Sequence, residues 1–118
     1  MVQTIYKVLS EPLWKEAVER GQLSGSAVDA QDGYIHFSTA QQVVETVRKH
    51  FAGQQDLVLL SVNAPALGSD LKWEVSRGGD QFPHLYAPLP LSAVISAVPL
   101  PLDPAGGHRF PCDLAGQA

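Results

Sequence analysis

The sequence predicts a single α+β domain: a mixed, mostly antiparallel, curved and split β-sheet carrying two main helices. Three observations lead there. Several short segments alternate apolar and polar residues with the period of two that a half-buried strand requires. Two stretches, Glu11–Arg20 and Ala40–Phe51, repeat apolar residues at helical spacing and carry end signals. The 118 residues suit one domain, which should bury roughly two-thirds of its unfolded surface.

Thr4 to Leu9 is strand-like in composition. Ser10 and Glu11 then cap a helix in which Pro12 is tolerated in the first turn. Leu13, Trp14, Ala17 and Val18 form its apolar stripe, Glu16 and Arg20 pair outside, and Gly21 stops it. Trp14 is expected in the core, although it could also flank a ligand. Gln22 to Asp32 has turn chemistry without a period, so an eleven-residue loop is expected, long enough to carry function.

The Asp32-Gly33 turn leads into an extended segment, with Tyr34, His36 and Ser38 on one face and Ile35 and Phe37 on the other. Thr39-Ala40-Gln41-Gln42 has the form of a capping box. The second helix presents Ala40, Val43, Val44, Val47 and Phe51, and Gly53 ends it. Asp56 to Asn63 is nearly all apolar, as in a central strand buried on both faces. Leu71 to Ser76 alternates, with Leu71, Trp73 and Val75 opposed to Lys72, Glu74 and Ser76. Arg77-Gly78-Gly79-Asp80 is a loop whose glycines allow close backbone approach. Phe82 to Tyr86 is extended, with His84 and Tyr86 on one side, and Pro88 and Pro90 confine it to an edge or end it. Ala93 to Val98 is the last strand. The domain is expected over 1–102, and 103–118 as a poorly ordered tail.

Composition narrows the function. Hydrophobic residues make up 45% and charged residues 17%, which excludes a disordered or fibrous chain. A net charge of −4 without a basic cluster argues against nucleic-acid partners. The apolar run Leu89 to Leu102 is too short and proline-rich to span a bilayer. One cysteine, Cys112, and no leader-like start make a cytoplasmic, soluble protein the expectation.

Three strand faces offer polar sets: Tyr34/His36/Ser38, Lys72/Glu74/Ser76 and His84/Tyr86. Neighbouring strands in matching register would make a cleft of histidines, tyrosine and one carboxylate. Each set could equally be an ordinary solvated face, and His36 a buried histidine with a satisfied hydrogen bond. His36 and His84 stand out because large apolar residues bracket each. No dinucleotide fingerprint or Walker loop is present. A Ser-His-Asp arrangement from Ser38, His36 or His84, and Asp80 lacks a nucleophile elbow. No histidine or cysteine spacing marks a metal site.

Six stretches carry a resemblance: Ile5-Tyr6-Lys7; Gly25-Ser26-x-x-Asp29-x-x-Asp32-Gly33-Tyr34-Ile35-His36-Phe37-Ser38; His50-Phe51-Ala52-Gly53; Leu57-Val58-Leu59-Leu60; Leu71-x-Trp73-Glu74-x-Ser76-Arg77-Gly78-Gly79; and Phe82-Pro83-His84-Leu85-Tyr86. From about Thr4 to Leu102 the chain resembles domain-of-unknown-function family 952, a small bacterial family. That family's fold resembles the ADP-ribosyltransferase fold, a split sheet that binds NAD in a cleft. The resemblance implies that His36 matches the first-motif histidine holding the ribose, with Ser38 beside it. Trp73, Glu74, Arg77, Gly78, Gly79, His84 and Tyr86 would surround the same cleft. It implies Glu74 as the candidate for the late-strand catalytic glutamate, with His36 and His84 as further catalytic candidates. Some relatives in that superfamily, the RNA 2′-phosphotransferases, use histidines and arginines instead, roles open here to His84 and Arg77. NAD would be a substrate, with no tightly bound cofactor. The competing classes are a ligand-binding or interaction module without chemistry, whose protein partner the sequence does not name, and a metal-dependent hydrolase.

Overall fold

The computed structural model describes residues 4–25, 27–75, 79–102, 104 and 107–110. In chain order it runs β1 (Thr4–Ser10), α1 (Glu11–Arg20), β2 (Gln22–Leu23), α2 (Ala27–Asp32), β3 (Ile35–His36), α3 (Ala40–His50), β4 (Leu57–Asn63), a 3₁₀ segment (Ala64–Asp70), β5 (Leu71–Val75), β6 (Gln81–Leu85), β7 (Leu89–Pro90), a 3₁₀ turn (Leu91–Ala93) and β8 (Val94–Leu100). It is an α+β domain of antiparallel sheets and a few helices.

Local chemistry explains the two main helices. The Ser10 hydroxyl accepts the Leu13 N–H at 3.3 Å, Pro12 lies in the first turn, and Gly21 closes α1 at φ 84°. Leu13, Trp14 and Ala17 meet the core, whereas Val18 is half-exposed and leaves the expected stripe. Thr39 caps α3 through a reciprocal box, accepting the Gln42 N–H at 3.2 Å while the Gln42 amide oxygen accepts the Thr39 N–H at 3.0 Å. Val43 and Val47 are buried, and Phe51 follows as the C-cap.

β4 is central, as its apolar run demands, lying between β1 and β8. Its faces serve two cores. Val58, Leu60 and Val62 join Ile5 and Leu9 of β1 on one side, whereas Leu57 and Leu59 join Tyr6, Val8, Val43 and Val47 on the other. Every strand pairing among the described residues is antiparallel, so the expected mixed sheet is corrected. The sheet is divided in three: β1-β4-β8, β3-β6-β5 and β2-β7. One chain segment joins the two larger parts. After β3 pairs with β6, Ser38 exchanges both backbone hydrogen bonds with Tyr6 of β1, each at 2.8 Å.

Two further expectations change. Gln22 to Asp32 is not one long loop but β2 and α2. Its order comes from tertiary contacts, which leave no period in the sequence. Gly25 (φ 104°) packs so closely on Asp29 that an added Cβ would fall 2.7 Å from the aspartate's own. β6, expected either to lie at an edge or to be ended by Pro88 and Pro90, stops at Leu85 before both prolines and lies inside its sheet between β3 and β5. Pro83 stands where the β3 ladder ends: its carbonyl still accepts the Phe37 N–H at 3.0 Å, and its missing N–H falls beyond the last paired residues, His36 and His84. β8 lies at one edge of the β1-β4-β8 sheet. A register shift opposite Ser61 and Val62 leaves Ile95 exposed there. Within the segment expected as tail, His108 pairs with Leu102 and Phe110 packs on the second core; residues 103, 105–106 and 111–118 lie outside the described residues.

Removing the α3 cap should cost about 1 kcal/mol. Thr39→Ala should therefore lower the melting midpoint by about 4–8 °C. Adding Gln42→Ala should cost less than its effect alone, because the two bonds form one reciprocal unit; circular-dichroism melts of the three variants check this.

Candidate functional site: two carboxylate-held imidazoles

Register builds the site. β3, β6 and β5 align His36 with His84 and His84 with Lys72, so the alternating neighbours Tyr34, Glu74 and Tyr86 share that face. Glu74 Oε1 accepts hydrogen bonds from the Tyr86 hydroxyl at 2.6 Å and lies 2.8 Å from His84 Nδ1. Tyr34 lies over His84, centroids 4.1 Å apart and planes 25° apart. The same ring stands 4.7 Å from His36 and 5.1 Å from Tyr86, and the two imidazoles meet edge-on at 5.5 Å.

His36 is held from the other side. Asp29 Oδ1 accepts the His36 backbone N–H at 3.1 Å and lies 2.5 Å from Nδ1, while Asp32 Oδ2 lies 2.9 Å from Nε2. A neutral imidazole has one N–H, so both carboxylate bonds are donated together only by the imidazolium. Asp29 also binds Lys7 Nζ at 3.0 Å, and that ammonium donates to the His36 carbonyl at 3.0 Å. Lys7 and Asp29 are both buried. Lys7 and Asp29 are absent from the residues the sequence reading singled out as candidates, though a signal existed. Lys7 shares a strand face with the core residues Ile5 and Leu9, where an ammonium requires a carboxylate.

An open cleft of about 750 Å³ adjoins this network, lined by Lys7, Asp29, Tyr34 and His36 at its polar end and by Val43 and Phe51 among its apolar walls. Ser38 also lines it, but its backbone is tied to Tyr6 and its hydroxyl lies 3.3 Å from that of Thr46, so its groups serve the fold. Trp73 does not join the cluster. It alternates to the face opposite Glu74 and is exposed there with Val75. Gly79 lies in the loop at the Glu74 end of the β5–β6 hairpin. Arg77 and Gly78, with Ser76, lie outside the described residues. Among the described residues no three His, Cys, Asp or Glu side chains are grouped to hold a metal ion, and no helix is long and apolar enough to cross a membrane.

Hydrogen bonding sets the protonation of the Glu74 pair. The bonds from Tyr86 and then His84 hold the Glu74 carboxyl below its ordinary range. The same Glu74 bond, with desolvation second, pushes the Tyr86 phenol up to about 12. For Lys7, burial lowers the ammonium while Asp29 pulls it back up. The depressed Glu74 value contributes stability above the ordinary carboxylate range, lost as pH falls through the lower folded value. The raised Tyr86 value contributes below pH 10, lost as pH rises through about 12. Tyrosine ¹³Cζ titration by NMR should therefore find Tyr86 ionising near 12, and Glu74→Gln should return it toward 10.

No curated protein matches the chain. Three solved structures do, all of the Caulobacter crescentus protein CC0527, a structural genomics target. Its crystal structure is 51% identical, covers 95% of this chain and 98% of that one, and superposes with a TM-score of 0.90. A double-mutant crystal structure gives 49%, the same coverage and 0.90. The solution NMR structure gives 53%, 88% and 90% coverage, and 0.80. Residues 8–97 match the family described as protein of unknown function (DUF952), and the chain belongs to that family.

Proposed function

We propose that the chain is an ADP-ribosyltransferase-like protein that takes NAD or a related ribonucleotide as a transient substrate in the cleft beside β1 and β3. The observation that carries this reading is the convergence of two carboxylate-held imidazoles, His36 and His84, on one sheet face at 5.5 Å. The adjoining cleft has the size of small-molecule sites, with walls largely apolar by exposed area and with Lys7, Asp29, Asp32 and His36 among its polar groups.

In this reading a ribose hydroxyl takes the place of the exposed Asp32 carboxylate at His36 Nε2, with Asp29 fixing the ring through Nδ1. Glu74, kept ionised by its two donors, faces positive charge developing at the ribose anomeric carbon. The glycosidic C–N bond breaks with its electron pair leaving on nicotinamide, and water or an acceptor hydroxyl adds to the carbon, losing its proton. Tyr86 orients Glu74 through a 2.6 Å bond. Trp73 has no part in it. The protein is read as cytoplasmic, with a small molecule as its partner.

Calorimetric titration with NAD and ADP-ribose tests the reading. Binding is expected, weakened at least about tenfold by His36→Ala, equivalent to about 1.4 kcal/mol. Glu74→Gln should preserve binding and lower NAD turnover by roughly a hundredfold or more. Absence of binding by either compound would overturn the reading in favour of an interaction module. Binding with no turnover would keep the site and remove the chemistry.

A further inference from the structure

The strand edge that walls the cleft is left open at one residue. Tyr6 and Ser38 exchange both backbone hydrogen bonds, so the N–H and C=O of Tyr6 point away from β4. These directions alternate along a strand. Lys7 and Leu9 therefore turn theirs to β4, whereas Val8 turns its pair outward, as Tyr6 does. Among the described residues nothing accepts the Val8 N–H or donates to its carbonyl.

The register explains the opening. Continued antiparallel from Ser38 and Tyr6, it would set His36 opposite Val8. The His36 backbone does point toward β1, because Phe37 donates the other way, to Pro83 of β6. Side chains have taken its groups, however. Asp29 Oδ1 accepts the His36 N–H, and Lys7 Nζ donates to its carbonyl. The buried Lys7–Asp29 pair thus ends the ladder after one step and leaves Val8 unanswered.

The cleft follows that edge. Tyr6, Lys7, Val8, Leu9 and Ser10 line it in succession, and so does His36. Side chains of successive strand residues alternate between faces, so a cavity met by all of them runs along the edge. Both ends of the edge are closed: Ser38 holds Tyr6, and beyond Ser10 the chain enters α1. An extended peptide adding to a sheet needs a row of donors and acceptors. Here one residue's pair is open, which suits a single planar group.

We propose that the Val8 N–H and C=O bind a planar ligand group with an acceptor beside a donor, the primary carboxamide of a nicotinamide or the amino edge of an adenine. The inference deepens the ribonucleotide reading and rests on it, since NAD carries both groups. With His36 on β3 holding the ribose, the Val8 edge holds the ring joined to that ribose from β1. The backbone also imposes a polarity. The ligand's acceptor meets the N–H and its donor meets the C=O, so an analogue without the donor leaves the Val8 carbonyl unanswered.

The test is NMR titration of the ¹⁵N,¹³C-labelled full chain with NAD, then with nicotinamide and adenosine separately. In the free protein the Val8 amide should exchange with solvent faster than those of Lys7 and Leu9, which the β4 ladder covers. NAD should shift the His36 ring together with the Val8 amide and carbonyl. The smaller probe whose edge is read should shift Val8 by itself. Its counterpart without the donor, nicotinate or purine riboside, should bind at least about tenfold more weakly. A free-protein Val8 amide as protected as Lys7 and Leu9 overturns the inference, because a partner then already holds it. A counterpart that binds equally well overturns it too. NAD that shifts His36 and leaves Val8 unchanged overturns the inference and keeps the ribonucleotide site. No shift at either residue with any probe removes the ribonucleotide reading and this inference together.

Discussion

The structure depends on a lysine on the wrong side of a strand. Lys7 lies on the face of β1 that carries Ile5 and Leu9 into the core, and it is 6% exposed. An unpaired ammonium there would be untenable, so Asp29, equally buried, must be brought to it. Breaking such a pair by removing one partner typically costs about 3–5 kcal/mol. Asp29 then performs three tasks with one carboxylate: it neutralises Lys7, accepts the His36 backbone N–H, and holds the His36 ring. Its own backbone carbonyl accepts the N–H groups of Gly33 and Tyr34, which turns the chain out of α2 into β3. The ion pair thus fixes the helix, the strand and the histidine together.

From that anchor the two halves of the sheet are coupled. Phe37 and Ser38 carry the chain from β6 across to β1, with the Phe37 N–H donated to Pro83 and Ser38 paired with Tyr6. The Phe37 ring lies 5.8 Å from the Lys7 ammonium, so the crossing segment also roofs the ion pair. The candidate site therefore rests on backbone tied to both larger parts of the sheet. Its two imidazoles are oriented by carboxylates from different places, Asp29 on α2 and Glu74 on β5, while β3 and β6 set their spacing. Orientation of a ring through its second nitrogen is the usual way a protein chooses which nitrogen meets a ligand.

Much of this was legible beforehand. Ser10-Glu11-Pro12 and Gly21 bounded α1, and Thr39 with Gln42 announced the start of α3, because caps are local chemistry that neighbouring residues satisfy among themselves. The unbroken apolar run of β4 announced a strand between two cores. Alternation placed Tyr34 with His36, and His84 with Tyr86, on common faces. The resemblance pointed to the family to which the chain belongs.

What the sequence by itself determined, then, was the set of elements whose signals repeat within a few residues: the helices, the strands and the faces they present. Tertiary structure alone decided the order of β2 and α2, the interior position of β6, and the roles of Lys7 and Asp29. It also sent Trp73 outward while gathering Glu74, His84 and Tyr86. The physical reason is range. A cap or a periodic stripe is satisfied by neighbours in the chain, whereas Lys7 meets its carboxylate 22 residues away in sequence, and no local pattern records that a buried charge has found its partner.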